Sequence, residues 1–218
     1  MPKSTSLPWL AAVAIPALLV GCATTGYRQA ETTASAMDSL RENLNRIEGD
    51  LAGVQDSLNH TLEPSGDGTV VAFRDFESRL QDLRMRFSAV EGNVQDIKSR
   101  GRVYFESWQR EIALIQDEEI RNGAIDRREA LMSAQDELVR AMELTRPGSE
   151  SLLRSLEDLR VYFSNDLSSA GIDAVRGSVR RIVDTTVSLQ SRLEEVRALI
   201  ESTSPGFTPA VAATPVAP

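Results

Sequence analysis

The sequence predicts an all-α protein, an elongated antiparallel coiled-coil hairpin continuous with a three- or four-helix bundle and without a β-sheet. Three observations support this fold class. Apolar residues recur over long stretches at alternating spacings of three and four, which is the pattern of a coiled-coil seam. Short segments rich in glycine, proline and serine separate these stretches. Aromatic residues make up only 5% of the 218 residues, which favours a helical rod over a compact enzyme core.

The first periodic stretch predicts a helix over residues 36–62. Its seam residues are Met37, Leu40, Leu44, Ile47, Leu51, Val54 and Leu58. The segment 63–69 follows and contains one proline and two glycines, so it predicts a turn in which Asp67 or Thr69 caps the next helix.

The second stretch predicts one long helix from Val70 to about Ile120. Its seam residues are Phe73, Phe76, Leu80, Leu83, Phe87, Val90, Val94 and Ile97. Gly101 interrupts the rhythm, which then resumes at Phe105, and this change predicts a stutter that locally unwinds the supercoil. Two matching seams joined by a turn favour an antiparallel hairpin of residues 36–62 against 70–98. The alternative is that a seam faces another copy of the chain, because heptads do not specify their partner.

Three further helices are expected after the long one. The segment 117–123 is expected to end the long helix, and Asp126 with Glu129 resembles a capping box that begins the third helix. Pro147 and Gly148 are expected to end this third helix, because proline disrupts a helix interior.

The fourth and fifth helices complete the expected set. Ser149 is placed to cap the fourth helix, and residues 168–171 predict a turn after it. The fifth helix carries a seam from Ile172 to Ile200 with Thr186 as its one polar member.

The first 21 residues have the layout of a secretory signal peptide. Lys3 provides the positive charge, and residues 7–20 form an apolar run too short for an ordinary membrane span. The next residues complete Leu19-Val20-Gly21-Cys22, which matches the bacterial lipobox and implies lipidation of Cys22 after cleavage. Ala23 then favours the outer membrane, facing the periplasm, by resemblance to lipoprotein sorting patterns. The alternatives are an ordinary signal peptide or a short buried helix with a buried cysteine.

The expected domain organisation has four parts. They are a lipoprotein signal peptide (1–21), a tether (22–35), a helical coiled-coil and bundle domain (36–204) and a disordered tail rich in proline and alanine (205–218). Cys22 is the only cysteine, so no disulfide within the chain is expected.

Several function classes are disfavoured. The net charge of −8 argues against a nucleic-acid partner, because phosphate binding needs a basic surface. His60 is the only histidine, so no metal site and no serine triad is expected. No phosphate-binding glycine motif occurs in the sequence. We therefore expect no enzyme activity, no catalytic residue and no cofactor.

Two groups of residues are candidate binding sites. Arg121, Arg127 and Arg128 are candidate contacts for an acidic partner or lipid headgroups, although pairing with Asp126 and Glu129 is the ordinary alternative. The second group is apolar, and core packing is the alternative for it. Its members are Tyr104, Phe105, Trp108 and Phe163.

Parts of the chain resemble a known family. They are Tyr104-Phe105-Glu106-Ser107-Trp108-Gln109-Arg110-Glu111-Ile112, then Arg121, Arg127-Arg128, Asp158-Leu159-Arg160 and the stretch Asn165 to Gly171. They are similar to a bacterial envelope family of helical lipoproteins catalogued as domain of unknown function 2959. The resemblance covers most of the chain after Cys22. It implies an exported, all-helical protein and supplies no assigned activity.

The expected function is that of a structural spacer or docking scaffold in the bacterial cell envelope. The expected partners are the membrane, through a lipid anchor on Cys22, and another envelope protein, with a homo-oligomer as a further option. The alternative is a carrier that holds a lipid or other apolar ligand inside the bundle, near Trp108 and Phe163.

Overall fold

The computed structural model describes residues 23–63 and 66–208. It contains four α-helices and one short 3-10 helix. They are α1 (Ala23–Thr61), α2 (Asp67–Ile112), α3 (Glu118–Phe163), α4 (Ser169–Thr203) and the 3-10 helix Ser204–Phe207. No β-strand occurs within these described ranges. The predicted all-α fold class is confirmed.

The four helices form one antiparallel bundle in which each helix lies beside the next along the chain and α4 lies beside α1. Side-chain contacts cross each of these four interfaces. They are Arg86 to Asp50 between α2 and α1, Arg84 to Glu157 between α2 and α3, Arg192 to the Leu144 carbonyl between α4 and α3, and Arg197 to Glu48 between α4 and α1. The predicted hairpin is therefore α1 and α2, and α3 and α4 pack along it.

The bundle has two distinct ends. Its N-terminal end contains the start of α1, the α2–α3 connection (residues 113–117) and the 3-10 helix. There, a Cβ added to Gly26 would lie 3.3 Å from the Glu111 carboxylate. At the opposite end, Arg176 at the start of α4 reaches the Leu62 carbonyl after α1, at 3.5 Å. Because α2 has 46 residues, it is about 69 Å long at ~1.5 Å per residue.

The core consists of the predicted seams. All fifteen seam residues of the hairpin are buried, and they join the seam of α4 in one continuous apolar cluster. The seams are therefore covered within one chain, as the hairpin prediction requires.

A polar pair fixes the register between α1 and α2. The Asn43 Nδ2 atom donates a hydrogen bond to Asn93 Oδ1 at 2.7 Å, and both side chains are half-buried. A shift of one helix along the other would separate these amides in a low-dielectric interface, where an unpaired polar group is costly. The pair therefore helps to specify one alignment of the two seams.

Several buried hydroxyl groups are satisfied inside their own helices. Thr186 is buried, and its Oγ1 donates to the Ile182 carbonyl at 2.8 Å. Thr33 and Thr145 make the same kind of bond, to the carbonyls of Gln29 and Met142. The polar seam position therefore needs no polar partner on another helix.

The described part of the expected tether is helical, because α1 includes residues 23–35. Ala30, Thr33 and Ala34 are buried against the bundle. Ala30 and Thr33 continue the seam of Met37 upstream by steps of three and four. Their small size hid this extension of the seam in the sequence, since seam residues are usually large and apolar.

The boundary between the second and third helices differs from the prediction. The helix α2 ends at Ile112, and α3 begins at Glu118 instead of Asp126. Asp117 is the N-cap of α3, and its carboxylate accepts from the Ile120 N–H at 3.0 Å. Acidic residues in a first helical turn are favourable because they face the positive end of the helix dipole. Asp117, Glu118 and Glu119 therefore begin a helix and do not end one.

The expected break at Pro147 is also absent, and α3 is continuous from Glu118 to Phe163. Buried or half-buried residues keep one uninterrupted spacing of three and four across the proline. They are Leu138, Met142, Thr145, Ser149, Leu152, Leu156, Leu159 and Phe163. Arg192 of α4 donates to the neighbouring Leu144 carbonyl at 3.1 Å. Packing of both halves against the same core thus outweighs the local cost of proline.

The tail expected to be disordered from Pro205 starts with ordered structure. Pro205, Gly206 and Phe207 belong to the 3-10 helix, and the Phe207 side chain is only 2% exposed. A single large aromatic side chain provides enough buried area to order this short segment. Residues 209–218, like residues 1–22, lie outside the described residues.

Candidate functional site

The aromatic candidates at the N-terminal end form one cluster that includes a residue from the C-terminal segment. The Tyr104 ring lies 5.5 Å from the Trp108 ring and 5.6 Å from the Phe207 ring, measured between centroids. Phe105 lies 6.0 Å from Phe207 with its ring turned edge to face. Phe207 therefore fills the space beside the predicted residues, and its buried position supports core packing as their role.

The structure does not bring Phe163 into this cluster. Phe163 lies at the opposite end of the bundle, where its ring is 6.2 Å from that of Phe73 and 6.0 Å from that of Tyr162. Trp108 is near the end of α2, whereas Phe73 is near its beginning. The four aromatic candidates thus belong to two separate packing sites.

Tyr104 is the one titratable group in the aromatic cluster. Burial raises the pKa of its hydroxyl, the charge of Arg127 opposes this effect, and the Glu111 carboxylate adds to it. The hydroxyl is therefore neutral at physiological pH, as in an ordinary packed tyrosine.

The three candidate arginines donate to backbone carbonyl groups of the same chain. Arg121 reaches the Ile115 carbonyl at 3.2 Å, and Arg127 reaches that of Gly206 at 3.4 Å. Arg128 donates to the Phe105 carbonyl at 3.1 Å, and its guanidinium lies 6.0 Å from the Phe105 ring centre. These carbonyls lie at the α2–α3 connection, the 3-10 helix and α2, so the arginines hold the parts of the N-terminal end together.

The guanidinium N–H groups that make no contact within the chain determine what these arginines can offer to a partner. Arg127 is exposed, and Arg121 and Arg128 are half-buried. Neither Asp126 nor Glu129 lies within ion-pair distance of them in the described part of the chain, so the ordinary alternative of pairing with these carboxylates is not observed. Each guanidinium has five donors, so Arg127 keeps solvent-facing donors beside its contact with Gly206.

An open groove of about 320 Å³ lies between α2 and α3 near the middle of the bundle, and sequence reasoning did not identify it. Its apolar lining comes from Phe87, Val90 and Val94 of α2 and Met142 of α3, together with Leu193 of α4. Arg146 is at its rim, 3.5 Å from Glu91 of α2. Gly92 and Ser149, which are small, also line the groove, and periodicity alone does not report such gaps.

The other expected site residues have simple environments. The lipidation candidate Cys22 lies outside the described residues, directly before the first residue of α1. His60 is exposed, with its Nδ1 atom 3.6 Å from an oxygen of Asp56.

Over residues 23–63 and 66–208, no three His, Cys, Asp or Glu side chains are grouped as metal ligands would be. None of the described helices is both long and apolar enough to cross a membrane.

The arrangement therefore defines an all-α protein, a four-helix bundle with a packed apolar core. A comparison with known protein families identifies the family of the chain. Residues 66–204 match the model described as "Protein of unknown function (DUF2959)". The chain belongs to this family, and the match extends from the residue before α2 to the first residue of the 3-10 helix. None of the curated proteins compared with the chain matches it.

Proposed function

We propose that the protein is a lipid-anchored spacer or docking scaffold of the bacterial cell envelope, attached through Cys22 to the outer membrane and facing the periplasm. The observation that carries this proposal is that Ala23, the residue that follows Cys22 in the sequence, already belongs to α1. Helical structure thus reaches the residue next to the proposed anchor. A bundle about 69 Å long extends from that point, based on 46 residues in α2 and ~1.5 Å per residue.

The interior of the bundle supports a structural role. The seams of α1, α2 and α4 meet in one apolar cluster, and Phe207 covers the end of the aromatic group. Closely packed interiors of this kind resist deformation, as a spacer requires. Docking would then use exposed surfaces, and Arg127 at the N-terminal end and Asp67 at the opposite end are the surfaces to examine.

Metabolic labelling tests the anchor. Cells that express the full chain are fed an alkyne analogue of palmitate, and the wild type is compared with Cys22→Ser. We expect label on the wild type alone, and we expect part of it to resist hydroxylamine, which cleaves thioesters but not the amide at an acylated amino terminus. Equal labelling of both proteins, or none on either, would contradict the proposal.

Photocrosslinking in cells tests the docking role. A benzophenone amino acid is placed at Asp67, at Arg127 and at Leu144, which is exposed in the middle of α3. We expect a discrete protein adduct from one of the two end positions and none from Leu144. An adduct of twice the chain mass would identify a second copy as the partner, and adducts absent from both ends would contradict docking there.

A carrier of an apolar ligand is the second candidate function, and the groove at Phe87 and Met142 is the observation that favours it. This location differs from the expected one near Trp108 and Phe163. Native mass spectrometry of the protein extracted in mild detergent distinguishes the two functions. A retained lipid that is lost in Met142→Trp would support the carrier, whereas ligand-free protein supports the scaffold.

A further inference from the structure

Exposed apolar side chains occur at the N-terminal end of the bundle, in and beside the α2–α3 connection. Leu114 is 76% exposed and Ile120 is 63% exposed. Tyr27, near the start of α1, is exposed at the same end. Singly exposed apolar residues are common on protein surfaces, so the position of these residues must decide whether they have a role.

The position of Leu114 can be compared with that of Ala23, the first described residue of α1. Gly26 and Glu111 are in contact range, since a Cβ on Gly26 would lie 3.3 Å from the Glu111 carboxylate. Ala23 is three residues before Gly26, and Leu114 is three residues after Glu111. The α2 helix ends at Ile112, and the N–H of Leu114 donates to the Glu111 carbonyl at 3.0 Å, so the chain continues in the direction of α2 for one more turn. Because α1 and α2 are antiparallel, both steps run toward the N-terminal end of the bundle. Leu114 and Ala23 therefore lie at nearly the same height.

We infer that the α2–α3 connection contacts the membrane that holds the Cys22 anchor, with Leu114 and Ile120 inserted into its interfacial layer. This inference rests on the proposed lipidation of Cys22. The proposed anchor on Cys22 directly precedes Ala23, which already belongs to α1, and this helix is packed against the bundle from Ala30 onward. The structures at the height of Ala23 are thus held at the lipid surface.

The charges near the connection specify the kind of lipid. Asp117, Glu118 and Glu119 lie between the two apolar residues in sequence, and an anionic surface would repel them. Apolar insertion into a zwitterionic surface is compatible with these carboxylates. With the anchor on α1 and a second contact between α2 and α3, the bundle has two attachment points, which orient it end-on and direct the opposite end away from the membrane.

Fluorescence quenching in vesicles tests the inference. The full-length protein is produced with Leu114→Cys or Ile120→Cys, and each introduced thiol is labelled with nitrobenzoxadiazole. Matched controls are Val71→Cys, which is 66% exposed at the opposite end, and Leu144→Cys, in the middle of α3. The proteins are reconstituted in phosphatidylcholine and phosphatidylethanolamine vesicles, with or without a nitroxide-labelled lipid that quenches the fluorophore. All four positions are exposed, so the substitutions should not disturb folding.

We expect the nitroxide lipid to weaken fluorescence by about twofold or more at positions 114 and 120, as for side chains in the headgroup and acyl boundary. We expect no change at positions 71 and 144. Equal fluorescence ratios at all four positions, in protein that floats with the vesicles, would overturn the inference while the anchor stands. A wild-type protein that has a free thiol and does not float would overturn the proposed anchor and the inference together.

Discussion

The side chain of Gln135 on α3 occupies the space above the Cα atom of Gly101 on α2. A Cβ at position 101 would lie 2.1 Å from both the amide oxygen and the amide nitrogen of Gln135. Gln135 is only 5% exposed, and its Oε1 atom has no hydrogen-bond partner within the described residues. The glycine that interrupts the α2 seam thus provides room for a polar side chain at the α2–α3 interface.

Gly101→Ala should lower the free energy of unfolding by about 1 kcal/mol, because the buried amide must turn away from its place. Gly49→Ala is the matched control, since a Cβ there meets nothing within 4 Å. It should raise the free energy by ~1 kcal/mol through helix propensity. Urea denaturation followed by circular dichroism measures both. Adding Gln135→Ala to Gly101→Ala should recover part of the lost free energy of unfolding. If Gly101→Ala and Gly49→Ala stabilise the protein equally, that result would contradict the close packing of Gln135 on Gly101.

Phe207→Ala should lower the free energy of unfolding by about 3 kcal/mol, because it leaves a cavity beside Tyr104 and Phe105. Leu144→Ala, at an exposed position of α3, should change it by no more than ~0.5 kcal/mol. The same urea experiment measures the difference. An unaffected Phe207→Ala protein would show that the 3-10 helix contributes no packing energy.

Pro147→Ala should raise the free energy of unfolding by roughly 1–2 kcal/mol. The substitution restores an N–H group for the Glu143 carbonyl and removes the ring from the helix interior, although the more flexible unfolded chain offsets part of this gain. Pro205→Ala should act in the opposite direction, by about −0.5 kcal/mol, because Pro205 is in the first turn of the 3-10 helix, where its fixed φ is suitable. Thermal unfolding measures both. A Pro147→Ala protein that melts lower would show that α3 needs the proline for its packing.

Glu157→Gln should make stability less dependent on pH in the acid range. Hydrogen bonds from Arg160, and also from Arg84, lower the pKa of the Glu157 carboxyl in the folded protein. A carboxyl group whose pKa is lower in the folded protein stabilises the fold at pH values above its pKa in the unfolded chain. This stabilisation is lost as the pH falls through the pKa of the group in the folded protein. The wild type should therefore lose more stability than the variant between about pH 5 and pH 3.

The effect of Glu157 should be below ~1 kcal/mol at neutral pH, since the ion pairs are near the surface. Glu195→Gln on α4 is the control, because Glu195 is exposed and forms no ion pair among the described residues. Urea midpoints across the pH range measure both variants. If the urea midpoints of the wild type and Glu157→Gln change equally with pH, that result would contradict the lowered pKa of the Glu157 carboxyl in the folded protein.

Periodicity predicted the hairpin because large apolar residues mark its seams directly. The seam from Met37 to Leu58 and that from Phe73 to Ile97 are buried as expected. The extension through Ala30 and Thr33 was missed because small residues carry little hydrophobic signal. Periodicity therefore located the core but not its full length.

The boundaries were less predictable because local signals there have two meanings. Asp117 and its acidic neighbours can end a solvated helix or begin a new one, and the cap to Ile120 decides between them. Pro147 is a helix breaker on its own, yet the uninterrupted seam from Leu138 to Phe163 shows that packing prevails. The position of Phe207 depends on contacts with distant residues, which composition alone does not report.

The order of the helices has a consequence for how the protein folds. The α1–α2 and α3–α4 pairs each join segments that are adjacent in the chain, so loop closure costs them little entropy. The contact between Arg197 and Glu48 spans 149 positions and closes α4 onto α1. A chain that emerges N-terminus first therefore completes its local hairpins early. Its most distant pairing forms last, when the final helix has become available.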